Sequence, residues 1–370
     1  MDFDFTEDQV SLRDAVQRFV DKDYGFEQRR AIVKAGGFSK AAWDGLVGLG
    51  LTALAVPEAH GGLGFGPVEA MVVMEELGRG LVMEPYAQAA LVAPAVLAHA
   101  PEEVQAEWLP RIAGGEALVV LAHQERAARY RLDVCETAAS AEHHLRGHKS
   151  VVSAGAHADA FIVPARTAQG IALYLVPRDA AGLTLRAYAL HDGSAAAELT
   201  LEDTPALLLV APAEGLAVLE HAVDIAIAAQ AAEAVGVMDR YVALTVEYMN
   251  TRKQFGVAIA SFQALRHRIA DVKMQLELAR SMSYFATLKL NEPAEARRRA
   301  ISQAKVQLGH SMRFVGQQCT QLHGGIGVTD EYVGSHYFKR LTVMEMQYGD
   351  TLHHLGQVSE RMQDTAGVFA

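Results

Sequence analysis

Residues 214–256 read EGLAVLEHAVDIAIAAQAAEAVGVMDRYVALTVEYMNTRKQFG, and this stretch decides how the rest of the chain is understood. It contains no proline, and alanine and larger apolar residues continue through it. Such a run predicts a single helix of about forty residues that tolerates Gly236. A helix of this length is typical of a helical bundle, in which short loops join long neighbours.

Downstream of this stretch, three further helical segments complete a predicted four-helix bundle over residues 213–370. The first has Ser261 as its predicted N-cap. The second begins with Pro293, a residue favoured in the first helical turn, and ends at paired glycines. The third runs through QYGDTLHHL (residues 347–355) and is predicted to break at Gly349.

Upstream of the long helix, the sequence has two regions with different residue patterns. Residues 117–212 hold short runs rich in Val, Ile, Leu and Tyr between turn residues, which predicts a small antiparallel sandwich or barrel of six or more strands. Residues 1–116 are helical in pattern, beginning with a capping-box spacing between Thr6 and Gln9. The predicted fold is therefore α+β and mostly α, with an N-terminal helical domain, a central antiparallel β-domain and a C-terminal four-helix bundle.

Composition narrows the function classes. The 370 residues carry a formal net charge of -11, which argues against nucleic acid as a partner because phosphate binding needs clustered Lys and Arg. The two cysteines, Cys135 and Cys319, fit no metal or redox spacing, so we predict no metal site and a reduced, cytoplasmic setting. Pro94 breaks the apolar run LVAPAVLAHA, so that run predicts no membrane span.

Two motifs suit an anionic dinucleotide. In TRKQFG, Arg252 offers a fork of donors for a pyrophosphate and Phe255 an apolar wall for a flat ring. In QLHGGIG, Gly324 and Gly325 let the backbone approach a ligand closely. Each motif also has a structural interpretation: Arg252 in a solvated helix end with Phe255 in the core, and a helix C-cap at the glycines.

The chain resembles the acyl-CoA dehydrogenase family of FAD-dependent flavoproteins over nearly its whole length. The resemblance rests on DFTEDQVSLRDAVQRFV, GLGLTALAVPEAHGGLG with VVMEELGR, TRKQFGVAIASFQALRHRIADV and QCTQLHGGIGVTDEY, in that order. It implies FAD as cofactor, an acyl-CoA substrate, an electron-transfer flavoprotein as electron acceptor, and an oligomer, expected to be a dimer of dimers. The residues implied to contact FAD from a neighbouring subunit are Arg252, Phe255, Gln263, Gln321, Gly324 and Gly325.

The β-domain departs from the family where it is expected to receive the isoalloxazine ring. The family's Thr-Glu-Pro-Gly stretch aligns with LAHQERAARYRLD, which keeps Glu125 but not the glycine or the serine. At the later aromatic and threonine positions this chain has Val151 and Ser153, and Ser153 still offers a hydroxyl. The arginines of the first loop form either an anion clamp or a solvated loop; they are Arg126, Arg129 and Arg131.

The family's catalytic base is a glutamate that this chain lacks at both positions where the family places it. Counting from Gly324, the usual position is Tyr348, followed by Gly349; the second is Ala226, in the long helix. Asp224, two residues before Ala226, matches a position that lines the acyl-CoA site in some members. Tyr348 and Asp224 are accordingly predicted to contact the substrate.

Asp350 is the nearest carboxylate to the usual position, and it is our candidate catalytic residue. A break at Gly349 could aim its side chain into the site, but Asp350 is equally suited to be the N-cap of the following helix. His353 and His354 are further candidates. Three explanations stay open: a displaced base, a base-less non-catalytic subunit whose partner chain carries the glutamate, and different flavin chemistry or a flavin-free scaffold. The predicted function is oxidation of an acyl-CoA to 2-enoyl-CoA.

Overall fold

The computed structural model describes residues 4–365; the outermost residues of the first and third predicted domains lie outside this range. Its α-helices are, in chain order, α1 (Glu7–Asp23), α2 (Phe26–Lys34), α3 (Lys40–Gly48), α4 (Pro67–Arg79), α5 (Ala93–Leu97), α6 (Glu102–Ala113), α7 (Pro212–Thr251), α8 (Gln263–Lys289), α9 (Ala294–His323), α10 (Val333–Met346) and α11 (Thr351–Thr365). A short π-helical turn (Ala87–Val92) leads into α5. The helix of forty residues predicted from the sequence is confirmed as α7.

Local side-chain chemistry explains where several helices begin. At α1, the Gln9 backbone N–H donates to Thr6 Oγ1 (3.2 Å) and the Thr6 N–H to Gln9 Oε1 (3.0 Å), so the predicted capping box is present. The predicted Ser261 cap of α8 is wrong. A 3₁₀ turn precedes α8, and the Ser261 hydroxyl donates instead to the Ala258 carbonyl (2.7 Å) within it.

The larger sheet has eight strands: β1 (Val119–Leu121), β2 (Ala138–Ala139), β3 (His144–Ser153), β4 (Ala160–Thr167), β5 (Gly170–Pro177), β6 (Leu183–Ala189), β7 (Ala195–Pro205) and β8 (Leu207–Val210). The strand order is β6-β7-β3-β2-β4-β5-β8, with β1 also on β4. The predicted antiparallel pairing needs one correction, because β1 and β2 pair with β4 in parallel. Loops rather than hairpins bring these two short strands to β4, and the sheet is mixed.

Inward-facing residues of β3, β4, β5 and β7 form the core of this sheet, with Phe161, Val163 and Leu199 almost fully buried. These core residues alternate along β4 and β5, and the residues between them are also buried, so both faces of these two strands are covered. Helices before the strands, a central sheet and long helices after it confirm the predicted mostly-α, α+β architecture. The boundaries 1–116, 117–212 and 213–370 stay a prediction.

The described residues pack into two compact units, one of 4–26, 71–82 and 227–365 and one of 27–70 and 83–226. In the first unit, α4 and α7 cross closely at two glycines. A Cβ on Gly78 would overlap the Glu233 carbonyl, and one on Gly236 would overlap the Glu75 carbonyl. Gly236 is therefore required by packing, although glycine weakens a helix interior.

The helix α7 is long and apolar enough to cross a membrane, but 72% of its most apolar window is buried inside the structure. That burial is typical of a core helix, and the sequence predicts this segment as a helix of the bundle. A two-stranded hairpin, β9 (Lys253–Gln254) and β10 (Val257–Ala258), follows α7. The predicted break at Gly349 is also present, since α10 ends at Met346 and α11 begins at Thr351.

Candidate active site

The predicted dinucleotide residues form one exposed patch of the first unit. Arg252, Phe255 and Gln263 come from the β9–β10 hairpin and the start of α8, and Gln321, Gly324 and Gly325 from the end of α9. All six are exposed. Met249, Ile259 and Leu322 pack together in a small apolar cluster beneath them, so the hairpin and the end of α9 are held as one body.

This patch has the donors and the apolar surface that a dinucleotide needs. Gly324 has φ +67°, and a Cβ added at Gly324 or Gly325 would meet nothing within 4 Å, so the backbone there is open to a ligand. Phe255 is 94% exposed on the hairpin, which corrects the alternative that placed it in the core. An aromatic ring in that position is available to a flat ligand or to another chain.

Below Gly324, the helix end is fixed by a buried histidine. His323 Nδ1–H donates to the Cys319 carbonyl (2.8 Å), and its ring lies between Tyr248 and Tyr332, with centroid distances of 4.7 and 5.0 Å. Burial lowers the pKa of His323, so the ring is neutral. The cluster of rings therefore supports the glycine turn without placing a charge beneath it.

In the second unit, Ser153 lies at a strained corner of the sheet. The register between β3 and β7 shifts between Lys149 and Val152, and Val151 and Ala154 both have left-handed backbones with φ of +50° and +58°. Left-handed backbones in residues other than glycine persist only where the surroundings enforce them. Ser153 is half-buried, and the role predicted for it stays a prediction.

A buried ion pair lies beside that corner, and the sequence did not reveal it. Lys149 is fully buried, and its Nζ donates to Glu125 Oε1 over 2.6 Å. Glu125 also accepts hydrogen bonds from the Thr137 N–H and hydroxyl (3.1 and 2.7 Å) and from the Glu136 N–H (2.6 Å). Burial alone would raise the pKa of Glu125, but the Lys149 ammonium and these bonds lower it to about 2. The carboxylate is therefore held ionised.

The three arginines after Glu125 each have a neighbouring partner, and the anion clamp predicted as one alternative stays a prediction. Arg131 pairs with Asp133 (2.6 Å), Arg126 lies 3.7 Å from Glu198, and Arg129 lies over the Tyr130 ring. The structure favours the alternative, a solvated loop with local partners.

The α10–α11 turn carries Tyr348 and Gly349, which the sequence predicts to lie at the family's base position. Tyr348 has φ +58° and Gly349 φ +109°, so two successive left-handed residues reverse the chain. A Cβ on Gly349 would lie 2.6 Å from His354 Nε2, so no larger residue fits there. Tyr348 itself is half-buried.

Asp350 occupies the helix-capping position. Its Oδ1 accepts a hydrogen bond from the His353 backbone N–H at 2.8 Å, which satisfies one of the free donors of the first turn of α11. The contact confirms the alternative in which Asp350 is the N-cap of α11. Its catalytic role is a separate question and stays a prediction.

His354 is poorly suited to act as a base. Its Nε2–H donates to the Tyr348 carbonyl (3.0 Å), and its Nδ1 lies 3.3 Å from the Ser302 hydroxyl. Burial lowers its pKa to about 3, with a further contribution from the charge on Lys305. Both ring nitrogens are therefore engaged, and the ring is neutral at pH 7.

Lys305 is a second group that the sequence did not reveal. It lies in α9 within ISQAKVQL, where a lysine would ordinarily be placed on the solvent face, yet only 2% of it is exposed. Burial lowers the pKa of its ammonium to about 7, against the opposing effect of Glu345 and Asp350. The predicted substrate residue Asp224 is also almost fully buried, in α7, two residues before buried Ala226; its role stays a prediction.

Two family models and several known proteins are similar to this chain. The family model described as acyl-CoA dehydrogenase, N-terminal domain, matches residues 6–116, and the model for the C-terminal domain matches residues 213–363. Acyl-CoA dehydrogenase IpdE2 of Mycobacterium tuberculosis is 31% identical over 90% of this chain and 91% of its own length. Acyl-CoA dehydrogenase FadE27 of the same organism is 27% identical over 99% of this chain and all of its own.

Among solved structures, a chain of the ChsE4–ChsE5 complex from Mycobacterium tuberculosis superposes with a TM-score of 0.90 at 26% identity. The superposition covers 99% of this chain and 100% of that one. The likeness therefore covers nearly the whole chain.

Proposed function

This chain belongs to the acyl-CoA dehydrogenase family, and from that premise we propose that it oxidises an acyl-CoA to its 2-enoyl-CoA as one subunit of an assembly whose second chain supplies the base. The family consists of FAD-dependent oxidoreductases. FAD, when bound, accepts the hydride from the β-carbon of the acyl group.

Binding of the cofactor is assigned to the exposed patch of the first unit. The guanidinium of Arg252 offers N–H donors suited to a diphosphate, and the open space at Gly324 and Gly325 lets a ligand approach the backbone closely. Phe255 offers a flat apolar face beside them. In the second unit, the Glu125–Lys149 pair fixes the corner that carries Ser153, whose hydroxyl is assigned to the isoalloxazine.

The observation that carries the proposal is the composition of the α10–α11 turn. Removal of an α-proton from a thioester needs a base of suitable pKa, most simply a carboxylate. Tyr348 stands at the family's base position, the Asp350 carboxylate caps α11, and both nitrogens of His354 are hydrogen-bonded. A glutamate from a second, related chain supplies the missing group. The ChsE4–ChsE5 structure is itself a complex of two named chains, which supports this arrangement.

Asp350 as the base of this chain is the competing proposal. The Asp350 side chain caps α11 through Oδ1 and is half-buried on a turn that Gly349 bends sharply. The two proposals differ in whether this chain, isolated from any other, can remove the α-proton.

The test is to isolate the tagged full-length chain from its own organism under mild conditions. We expect a visible flavin spectrum and a second acyl-CoA dehydrogenase chain that co-elutes and carries a glutamate at the position of Tyr348. A preparation without flavin would reject the FAD assignment. A preparation of this chain alone that is bleached by acyl-CoA without oxygen would reject the second-chain base.

A further inference from the structure

One face of α9 is directed at the α10–α11 turn. Ser302, Lys305 and Gly309 are spaced by three and four residues, so they lie on the same side of the helix. All three contact the segment that runs from the end of α10 to the start of α11. We call these three residues the α9 clamp.

The first contact of the clamp runs through a histidine. The Ser302 hydroxyl lies 3.3 Å from His354 Nδ1, and His354 Nε2–H donates to the Tyr348 carbonyl at 3.0 Å. Because a carbonyl only accepts, the proton must be on Nε2, and Ser302 then donates to Nδ1. The left-handed Tyr348 backbone is thereby tied to α9.

The second contact is made by the buried ammonium of Lys305. Its Nζ donates to the Met344 carbonyl (2.7 Å) and to Gln230 Oε1 (2.6 Å). Gln230, from α7, in turn donates from Nε2 to Gln347 Oε1 at 2.8 Å. Lys305 therefore connects both the last turn of α10 and the residue before Tyr348 to the body of the bundle.

The third contact depends on the absence of a side chain. A Cβ on Gly309 would overlap the Thr351 hydroxyl, so glycine allows α11 to begin directly against α9. The Thr351 hydroxyl and N–H both donate to Glu345 Oε1, at 2.6 and 3.2 Å. The residues on either side of Tyr348 and Asp350 are thus fixed at three successive points along α9.

Burial of a lysine costs free energy, because its charge loses its contact with water. Burial of the Lys305 charge is opposed by the carboxylates of Glu345 and Asp350, and its Nζ donates to two carbonyl oxygens. A methionine would fill a similar volume without that desolvation cost. Unlike methionine, lysine donates directional hydrogen bonds, and these hold two acceptors from different helices in fixed positions.

We propose that the α9 clamp, with Lys305 at its centre, is a positioning site that sets the Tyr348–Asp350 turn against the reacting acyl group. Lys305 touches neither substrate nor cofactor in this proposal and acts through the turn. The proposal rests on the function assigned above for its catalytic consequence, but the rigidity of the turn can be measured without any catalysis.

The first experiment is hydrogen exchange of the full-length assembly, followed in peptides that cover residues 345–355. Lys305→Met and Ser302→Ala should each speed exchange there by about tenfold, as expected for the loss of one or two hydrogen bonds. The matched control is Ser311→Ala. Ser311 is also a buried serine of α9, but it bonds Gln275 of α8 and Gln307 of its own helix. Its loss should leave exchange in these peptides unchanged.

The second experiment follows anaerobic bleaching of the flavin by acyl-CoA in the same variants. Lys305→Met should slow bleaching at saturating acyl-CoA by about tenfold or more while the apparent Kd for acyl-CoA and the flavin content stay at wild-type values. Ser311→Ala should bleach at the wild-type rate. Unchanged exchange in a folded Lys305→Met protein would overturn the proposal, as would a bleaching rate equal to that of the wild type. If exchange changes as expected but no protein is bleached, the clamp stands and the proposed function fails.

Discussion

Asp350 Oδ1 accepts a hydrogen bond from the backbone N–H of His353 at 2.8 Å, and this contact begins α11. The only carboxylate within two residues of the family's base position is thereby used as a helix cap. Because this carboxylate is used as a cap, we look for the base in another chain.

Replacing Asp350 separates capping from catalysis. Asparagine is as good an N-cap as aspartate, so Asp350→Asn should change the free energy of unfolding by less than about 0.5 kcal/mol. Asp350→Ala removes the acceptor and should cost about 1 kcal/mol. Denaturant unfolding measures both. In the full assembly, Asp350→Asn should bleach with acyl-CoA at the wild-type rate. A fall of about a hundredfold or more would assign the base to Asp350 after all.

The Glu125–Lys149 pair should make stability depend on acid pH. The pKa of Glu125 is lowered from 4.5 to about 2 in the folded chain, so its contribution is complete above about pH 4.5 and is lost as the pH falls through about 2. At pH 7, Glu125→Gln should lose about 3–5 kcal/mol, because it leaves a buried ammonium without its partner. Guanidinium unfolding from pH 7 down to pH 2 checks this prediction.

The control for that experiment is the double variant Glu125→Gln with Lys149→Met, which removes both charges. It should be more stable than Glu125→Gln alone and should show no dependence on this titration. If the single and double variants lose the same stability at pH 7, the ion pair is not what holds the sheet corner.

Lys305 gives a pH dependence of the same sign in a higher pH window. Its pKa is lowered from 10.5 to about 7 on folding, so between these values the unfolded chain binds the proton and the folded chain does not. Stability therefore rises with pH across that window as far as this group is concerned. Glu345, Asp350 and His354 face the ammonium from the neighbouring elements.

Comparison of wild type with Lys305→Met isolates that slope. The wild type should gain stability relative to the variant as the pH rises from about 7 to about 10.5, and the difference should be constant below about pH 7. Chemical denaturation at a series of pH values measures it. Parallel curves for the two proteins would mean that Lys305 keeps its ordinary pKa in the folded chain.

Replacement of Phe255 should weaken the association of subunits. A phenylalanine that is 94% exposed at the tip of a hairpin is costly in an isolated chain and is expected to lie against another subunit or the cofactor. Phe255→Ser should weaken the oligomer in analytical ultracentrifugation and lower the flavin content, while the fold measured by circular dichroism is kept. A variant with unchanged mass and flavin would place Phe255 outside the interface.

Much of the fold could be predicted because its signals are local. The length of α7 follows from an unbroken apolar stretch, and the break between α10 and α11 from Gly349. The Thr6 capping box follows from a three-residue spacing. The Ser261 cap was predicted wrongly because Ser261 ends a 3₁₀ turn, in which its hydroxyl donates to the Ala258 carbonyl.

The candidate site was predicted less completely, because its buried polar groups depend on partners distant in sequence. Lys305 is buried by Gln230 and Met344, which lie 75 and 39 residues away. Lys149 likewise needs Glu125, 24 residues away, across a loop whose path is not encoded locally. For Asp350, the sequence predicts two possible roles, catalytic base and helix cap. The hydrogen bond from the His353 N–H shows that it is a cap.

The most direct test of the account is to restore a carboxylate at position 348. The measurement is anaerobic bleaching of the flavin in Tyr348→Glu, isolated without any second chain and mixed with a panel of straight-chain, branched and ring-bearing acyl-CoA thioesters. Tyr348→Gln is the matched control. We predict that the glutamate variant is bleached at least about a hundredfold faster than wild type or the glutamine variant, because only it carries the base. Wild type bleached as fast as Tyr348→Glu would contradict the claim that this chain lacks its own base.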